Sequence, residues 1–168
     1  MKVAVKDANI LIDLIEADLL GLWFRLGIET YTTDLVRYEI RVESQRRTLD
    51  SFVEAGLLKV ETSTPENLSL ASQVKAAHKI SMADASTFVL ARSLGAALLS
   101  GDDSLRKAAK ASDIEVRGVF WVFDRLIAEK LLSKSDAIVR LKRLLECGSF
   151  LPKATCAERI RAWGLERG

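Results

Sequence analysis

The sequence predicts a single-domain, three-layer α/β/α protein in which a central, mostly parallel sheet lies between helices, with a helical extension at the C-terminus. Short apolar or β-rich segments alternate along the chain with longer segments of helical periodicity, as βαβ units require. One short segment, 96–99, is apolar at every position, which is typical of a parallel strand buried on both faces. The length of 168 residues fits one domain with a substantial core.

The first half of the chain contains three of the predicted strands. The apolar segment 3–5 predicts the first strand, and from Asn9 the apolar residues recur at helical spacing. A second helical segment, 19–26, ends at Gly27, a residue that is favoured just after a helix. The next predicted elements are a strand over 28–32, a helix from Asp34, a short helix over 48–55 and a strand over 57–62.

The second half contains a helix that is apolar on nearly every side. Thr64-Pro65 begins a preceding helix, with Thr as the cap and Pro in the first turn. The segment 81–94 is then apolar almost all round, which predicts a central, buried helix. The remaining elements are the strand at 96–99, a helix through Lys110, an edge strand at 114–117, and helices over 119–131 and 134–146. Residues 149–168 are less periodic and more basic, and we expect a loosely docked tail there.

Composition excludes several functional classes. The net charge is +2, which neither requires nor forbids a nucleic-acid partner. Cys147 and Cys156 lie outside any CxxC spacing, and we expect reduced thiols in a cytoplasmic protein without a secretory leader or a membrane contact. The sequence contains neither GxGxxG nor GxxxxGK[ST], so dinucleotide binding and P-loop chemistry lack support.

Acidic residues collect where the predicted strands end. In open parallel sheets, the functional crevice lies outside the carboxyl ends of the strands. Carboxylates gathered there repel one another unless a cation is present, and oxygen ligands favour Mg²⁺ or Mn²⁺ over zinc. The acidic residues at or near this edge are Asp7, Asp34, Glu39, Asp84, Asp102 and Asp103.

Helix capping is the competing interpretation of each acid. Ser81-x-x-Asp84 and Ser100-x-x-Asp103 have the spacing of a capping box, and Ser133-x-x-Asp136 repeats it on a helix without any other functional feature. For any one acid alone, capping is the stronger interpretation; the conjunction of several favours a metal site. The single histidine, His78, is expected on a polar helix face, so a Ser–His–Asp triad lacks support.

Four motifs follow one another within residues 1–130. They are Asp7-Ala8-Asn9-Ile10-Leu11, Val36-x-x-Glu39 within the segment from Thr33 to Glu39, Ser81-x-x-Asp84-Ala85 and Leu98-Leu99-Ser100-Gly101-Asp102-x-x-Leu105. In their order and spacing they resemble the motifs of PIN-domain nucleases, and the fourth is the most specific. Arg117-Gly118-Val119, followed by an apolar helix, is similar to the ribonuclease toxins of toxin–antitoxin pairs.

The resemblance implies a nuclease domain over 1–132, with 133–168 as the helical extension and basic tail. It implies that RNA is hydrolysed with Mg²⁺ or Mn²⁺, and that a small antitoxin and a second copy of the chain are partners. The implied metal-binding and catalytic carboxylates are Asp7, Glu39, Asp84 and Asp102. Asn9, Ser100 and Asp103 are implied as secondary site residues.

Basic residues near the acids are candidates for holding RNA phosphates. They are Arg37, Arg41, Arg106 and Lys107, and ordinary solvated helix faces explain them equally well. Two further functions compete with the nuclease. A receiver-like signalling domain requires an acidic pair after the first strand and a late lysine, neither of which we find. A catalytically silent PIN-like module that binds nucleic acid or protein is the other alternative.

Overall fold

The computed structural model describes residues 1–165 and consists of a five-stranded sheet surrounded by helices. The strands are β1 (Val3–Lys6), β2 (Glu29–Thr33), β3 (Leu58–Glu61), β4 (Ala97–Leu99) and β5 (Val116–Arg117). The helices of this part of the chain are α1 (Ala8–Glu16), α2 (Leu20–Phe24), α3 (Asp34–Glu39), α4 (Glu43–Glu54), α5 (Pro65–His78), α6 (Met82–Leu94), α7 (Asp103–Ala111), α8 (Val119–Ala128), α9 (Lys134–Glu146) and α10 (Lys153–Leu165).

The sheet is fully parallel, which confirms the predicted α/β class. Its strand order is β3-β2-β1-β4-β5, with β1 in the centre. The chain therefore winds outward from β1 in both directions, and the carboxyl ends of β1, β2 and β4 meet at one edge. This is the edge at which open parallel sheets form their functional crevices.

The two faces of the sheet are covered by separate hydrophobic cores. Val5 points to the side of α5, α6 and α7, where it belongs to the same core as Phe88 and Leu98. Ala4 points to the opposite side, where Trp23 and Phe123 lie in the core formed mainly by α1, α2, α8, α9 and α10. This alternation along β1 explains the three-layer arrangement, because successive side chains of a strand point to opposite faces.

Several element boundaries differ from those predicted, and the start of α4 differs most. Helix α4 begins at Glu43 rather than at 48, and Leu49 is its only fully buried residue. Because the first turn of α4 is polar, the sequence has no apolar periodicity there from which the start of the helix could be predicted. The last strand contains only Val116 and Arg117, because Ile114 precedes the residues that pair with β4.

The expectation of a loosely docked tail is wrong for the described part of residues 149–168. Residues 153–165 form helix α10, which packs against α9. Cys156 and Trp163 are buried, and the Trp163 ring centroid lies 5.5 Å from that of Phe123 in α8. Burial of a tryptophan anchors this segment to the core. The last part of the predicted tail, 166–168, lies outside the described residues.

A buried lysine is an unexpected feature of β1. Lys6 is inaccessible to solvent, and its Nζ lies 3.2 Å from the centroid of the Trp23 ring with no hydrogen-bond partner. Burial lowers the pKa of Lys6 well below its usual range, while the charge of Asp7 raises it. The ring attracts the ammonium group, yet that attraction is smaller than the usual cost of burying an unpaired charge.

We therefore expect Lys6→Met to raise the free energy of unfolding by about 1–3 kcal/mol, because methionine fills a similar space without a buried amine that lacks a hydrogen-bond partner. Urea denaturation at pH 7 in EDTA measures this change. Lys107→Met, at an exposed position, is the matched control and should change stability little. A loss of stability in Lys6→Met would mean that the contact with Trp23 outweighs desolvation.

Candidate active site

Asp7 is held at the centre of the sheet edge, between β1 and α1. Its backbone N–H donates to the Leu99 carbonyl at 3.2 Å, which ties it to the end of β4. Its Oδ1 accepts a hydrogen bond from the Ile10 amide at 2.8 Å and thereby caps α1. The other oxygen, Oδ2, is buried without a hydrogen-bond partner. Capping therefore explains one oxygen of Asp7 and leaves the other unexplained.

Ser100 and Asp102 occupy the neighbouring strand end, after β4. Ser100 is buried, and its Oγ accepts a hydrogen bond from the Asp102 amide at 3.0 Å. Asp102 is the N-cap of α7, where its Oδ1 accepts from the Leu105 amide at 2.7 Å. As with Asp7, capping uses only one carboxylate oxygen. Asp103 is exposed in the first turn of the same helix.

Asp84 and Glu39 approach this edge from two helices. Asp84 lies in the first turn of α6, where its amide donates to the Ser81 hydroxyl at 3.0 Å. Glu39 is the last residue of α3 and is exposed. The hydroxyls of Thr33 and Ser86 lie 2.7 Å apart and connect the end of β2 to α6. This link fixes the start of α3 against the helix that carries Asp84.

The electrostatics show that these acids influence one another. Burial is the main cause that raises the pKa of Asp7 to about 7; the charges of Asp84 and Asp102 raise it further, while the Ser100 hydroxyl and the Ile10 amide lower it. Burial also raises the pKa of Asp84, with Asp102 adding to the shift and Ser81 opposing it. Partial burial and the charge of Asp84 raise the pKa of Glu39, whereas the positive charge of Arg41 lowers it. Such mutual repulsion is the environment that a cation would relieve.

The donor chemistry fits a hard divalent cation, although the candidate ligands do not form a ready-made group. Within residues 1–165, no three Asp, Glu, His or Cys side chains form a ready-made metal-binding group. The candidate donors are all oxygens, which suits Mg²⁺ or Mn²⁺ and not zinc. The unpartnered Oδ2 of Asp7 is a ligand atom without another role in this structure. The donor chemistry of these residues therefore fits a hard divalent cation.

Asp34 has a structural role, in agreement with its position outside the four motifs. Its two carboxylate oxygens accept hydrogen bonds from the amide and hydroxyl of Ser63, at 3.0 and 2.5 Å, and from the Leu35 amide at 2.9 Å. These bonds tie the start of α3 to the loop that follows β3. The carboxylate of Asp34 is thus fully used by the fold.

The four basic residues predicted to hold RNA differ in their surroundings. Arg106 donates from Nη1 to the Ser100 carbonyl at 2.8 Å and therefore lies directly beside the strand end. Arg37 is paired with Asp50 at 2.8 Å, and exposed Arg41 lies 5.7 Å from the Tyr38 ring. Lys107 is exposed on α7. Among these four, Arg106 is the one bound directly to a candidate site residue.

A large cavity adjoins the acids, and the sequence analysis did not predict it. It has a volume of about 800 Å³ and reaches Asn9, Ser100 and Asp103 at its near end. Asp13 and Glu16 of α1 line it as well. Their spacing from Asn9 on one helix face was the available signal, because residues three and four apart are neighbours on a helix.

Comparisons with known proteins agree with this fold. A family model described as PIN domain matches residues 3–165, and so extends past the region 1–130 and includes α9 and α10. The structure is similar to the crystal structure of PAE2754 from Pyrobaculum aerophilum, with a TM-score of 0.55 and 22% identity. That match covers 74% of this chain and 96% of the other. A search of curated proteins found no match. Within residues 1–165, each helix falls short of the length and apolar character needed to cross a bilayer.

Proposed function

Because this chain belongs to the PIN domain family, whose members are generally nucleases, we propose that it is a metal-dependent endoribonuclease. The observation that carries the proposal is the buried Oδ2 of Asp7, which accepts no hydrogen bond, at a sheet edge where burial and, to a smaller extent, the charges of Asp84 and Asp102 raise the pKa of this acid. An acid so placed costs stability unless a cation pairs with it. Helix capping alone does not account for this oxygen.

The proposed ligands of Mg²⁺ or Mn²⁺ are the carboxylates of Asp7, Glu39, Asp84 and Asp102. When bound, such an ion lowers the pKa of a coordinated water and neutralises charge on the scissile phosphate. Asp7 and Asp102 are held rigidly by their caps, so they would fix the position of the site. Glu39, exposed at the end of α3, is the freest of the four to orient water. Asn9, Ser100 and Asp103 would support this arrangement from its edge.

The test is cleavage of a pool of single-stranded and structured RNAs with Mg²⁺, with Mn²⁺ or with EDTA. We expect metal-dependent cleavage that Asp102→Asn lowers at least about a hundredfold, the loss typical of removing one electrostatic stabiliser of a transition state. Asparagine retains the capping oxygen, so the variant should fold. Asp113→Asn, exposed and outside the site, is the matched control. Equal cleavage by Asp102→Asn and wild type would contradict the proposal.

Arg106 is the basic residue best placed to hold a phosphate next to the scissile one, because it lies beside Ser100. We expect Arg106→Ala to weaken RNA binding in EDTA and to reduce the slope of log affinity against log salt by about 1. Arg92→Ala, at the far end of α6, should leave the slope unchanged. An unchanged slope in Arg106→Ala would show that Arg106 does not contact an RNA phosphate.

The catalytically silent binding module is the competing function, and the same RNA assay separates the two. Membership of a toxin–antitoxin pair, with a small antitoxin and a homodimer, is a further proposal that rests on the motif resemblance. Size-exclusion chromatography with light scattering tests the dimer. A short neighbouring gene whose product copurifies with this chain and inhibits cleavage would support the toxin assignment.

A further inference from the structure

The cavity of about 800 Å³ beside the acids has the size of a small-molecule binding site. Its near end is shared with the site, through Asn9, Ser100 and Asp103. From there it extends along one face of α1 to the loop between α9 and α10. A strand of RNA whose phosphate lies at the acids would therefore have this cavity immediately beside it.

One wall of the cavity carries hydrogen-bond acceptors. Asp13 and Glu16 follow Asn9 along α1, about 6 and 10 Å away along the axis by the rise of a helix. Asp13 Oδ1 accepts from the Ser149 hydroxyl at 2.7 Å, and its Oδ2 accepts no hydrogen bond from residues 1–165. Glu16 Oε1 accepts from Gln45 Nε2 at 2.8 Å. This wall is suited to a ligand edge that presents N–H donors.

Other residues of the cavity lining are aromatic and apolar. The half-buried Trp121 lines the cavity, and Phe150, in the loop between α9 and α10, is fully exposed at its margin. Exposed aromatic side chains that line a groove are the usual platforms on which single-stranded bases stack. Within the described chain, nothing covers the Phe150 ring.

Two arginines of the lining contribute positive charge, one beside Ser100 and one beside Trp121. The Arg117 guanidinium lies 5.7 Å from the Trp121 ring, and Arg106 is bound to the Ser100 carbonyl. Both residues line the cavity. The cavity therefore combines guanidinium groups, which suit a flanking phosphate, with aromatic rings and carboxylates, which suit a base.

We propose that this cavity binds an unpaired guanine base of the substrate strand, next to the phosphate that is cut. This inference rests on the proposed function for the position of the phosphate. Guanine presents two adjacent donors, N1–H and N2–H, to a carboxylate such as Asp13. Uracil presents one N–H between two carbonyl oxygens, which a carboxylate repels. Adenine and cytosine each place a ring acceptor beside their amino group.

The first experiment measures binding without catalysis. Guanosine 5′-monophosphate is titrated into the full-length protein in EDTA while the indole N–H signals of the three tryptophans are followed by NMR. We expect guanosine monophosphate to bind about tenfold more tightly than the uridine, cytidine or adenosine monophosphates. Asp13→Asn should remove this preference, and Asp113→Asn should retain it. Phe150→Ala should weaken binding, whereas Val139→Ala, also at an exposed apolar position, should not.

The second experiment sequences the ends of cleaved RNA from a random pool. Wild type is expected to show guanine at one fixed position beside the cut, and Asp13→Asn should still cut but without this preference. Cleavage without base preference, together with equal binding of the four nucleotides or none, would overturn the cavity assignment and leave the proposed nuclease intact. Selective binding of guanosine monophosphate without any cleavage would support the cavity assignment and count against the nuclease.

Discussion

Asp7→Asn should stabilise the metal-free protein at pH 8 by about 2–4 kcal/mol. Burial raises the pKa of Asp7 from 3.8 to about 7, and each pKa unit corresponds to 1.36 kcal/mol. The folded protein therefore favours the protonated acid, and wild-type stability falls as the pH rises from about 4 to about 7. Asparagine retains the capping oxygen toward Ile10 and carries no charge, so the stability of the variant does not fall in this way as the pH rises.

Urea denaturation in EDTA at several pH values measures the effect. The difference between Asp7→Asn and wild type should be small near pH 4, grow through pH 7 and then level off. Asp113→Asn should follow the wild-type curve. Adding Mn²⁺ at pH 8 should stabilise wild type and leave Asp7→Asn unchanged. An Asp7→Asn variant that is less stable than wild type at pH 8 would show that the carboxylate supports the fold in its charged form.

Trp163→Ala should lower the free energy of unfolding by about 3–5 kcal/mol, as expected when a buried tryptophan is removed from a core. Trp163 is 6% exposed and packs on Phe123, so α10 contributes to the same core as α8. Leu165→Ala, at a largely exposed position of the same helix, should change stability by a few tenths of a kcal/mol at most. A loss below about 1 kcal/mol for Trp163→Ala would restore the interpretation of a loosely docked tail.

The sheet and its acidic edge could be predicted from sequence because both depend on local patterns. Apolar strands alternate with helices, and an acid or a capped helix follows the ends of β1, β2 and β4. Asp7 and Asp102 are compatible with both interpretations, helix cap and site residue. Each uses one carboxylate oxygen for the cap, which leaves the second oxygen for a ligand. Sequence could not separate the two, because the distinction depends on what the second oxygen contacts.

The apolar periodicity of helix α10 is less evident in the sequence than its basic charge. Cys156, Ile160 and Trp163 recur at helical spacing and face the core, but the surrounding basic and small residues gave the segment an irregular appearance. Lys6 could not be predicted as buried, since a lysine at the end of a strand is ordinarily exposed. The cavity could not be predicted either. It depends on how the loop between α9 and α10 packs over α1, and local sequence patterns do not determine this.

Asp7, Glu39, Asp84 and Asp102 are proposed to form one divalent-cation site. Its most direct test is a Mn²⁺ titration followed by electron paramagnetic resonance of the free ion, with wild type, Asp7→Asn, Asp84→Asn, Asp102→Asn and the control Asp113→Asn. We predict that each of the three site variants weakens Mn²⁺ binding at least about tenfold, as loss of a ligand should, while the control binds as wild type does. Equal Mn²⁺ affinity in all five proteins, or none in wild type, would contradict the account and leave these acids as helix caps.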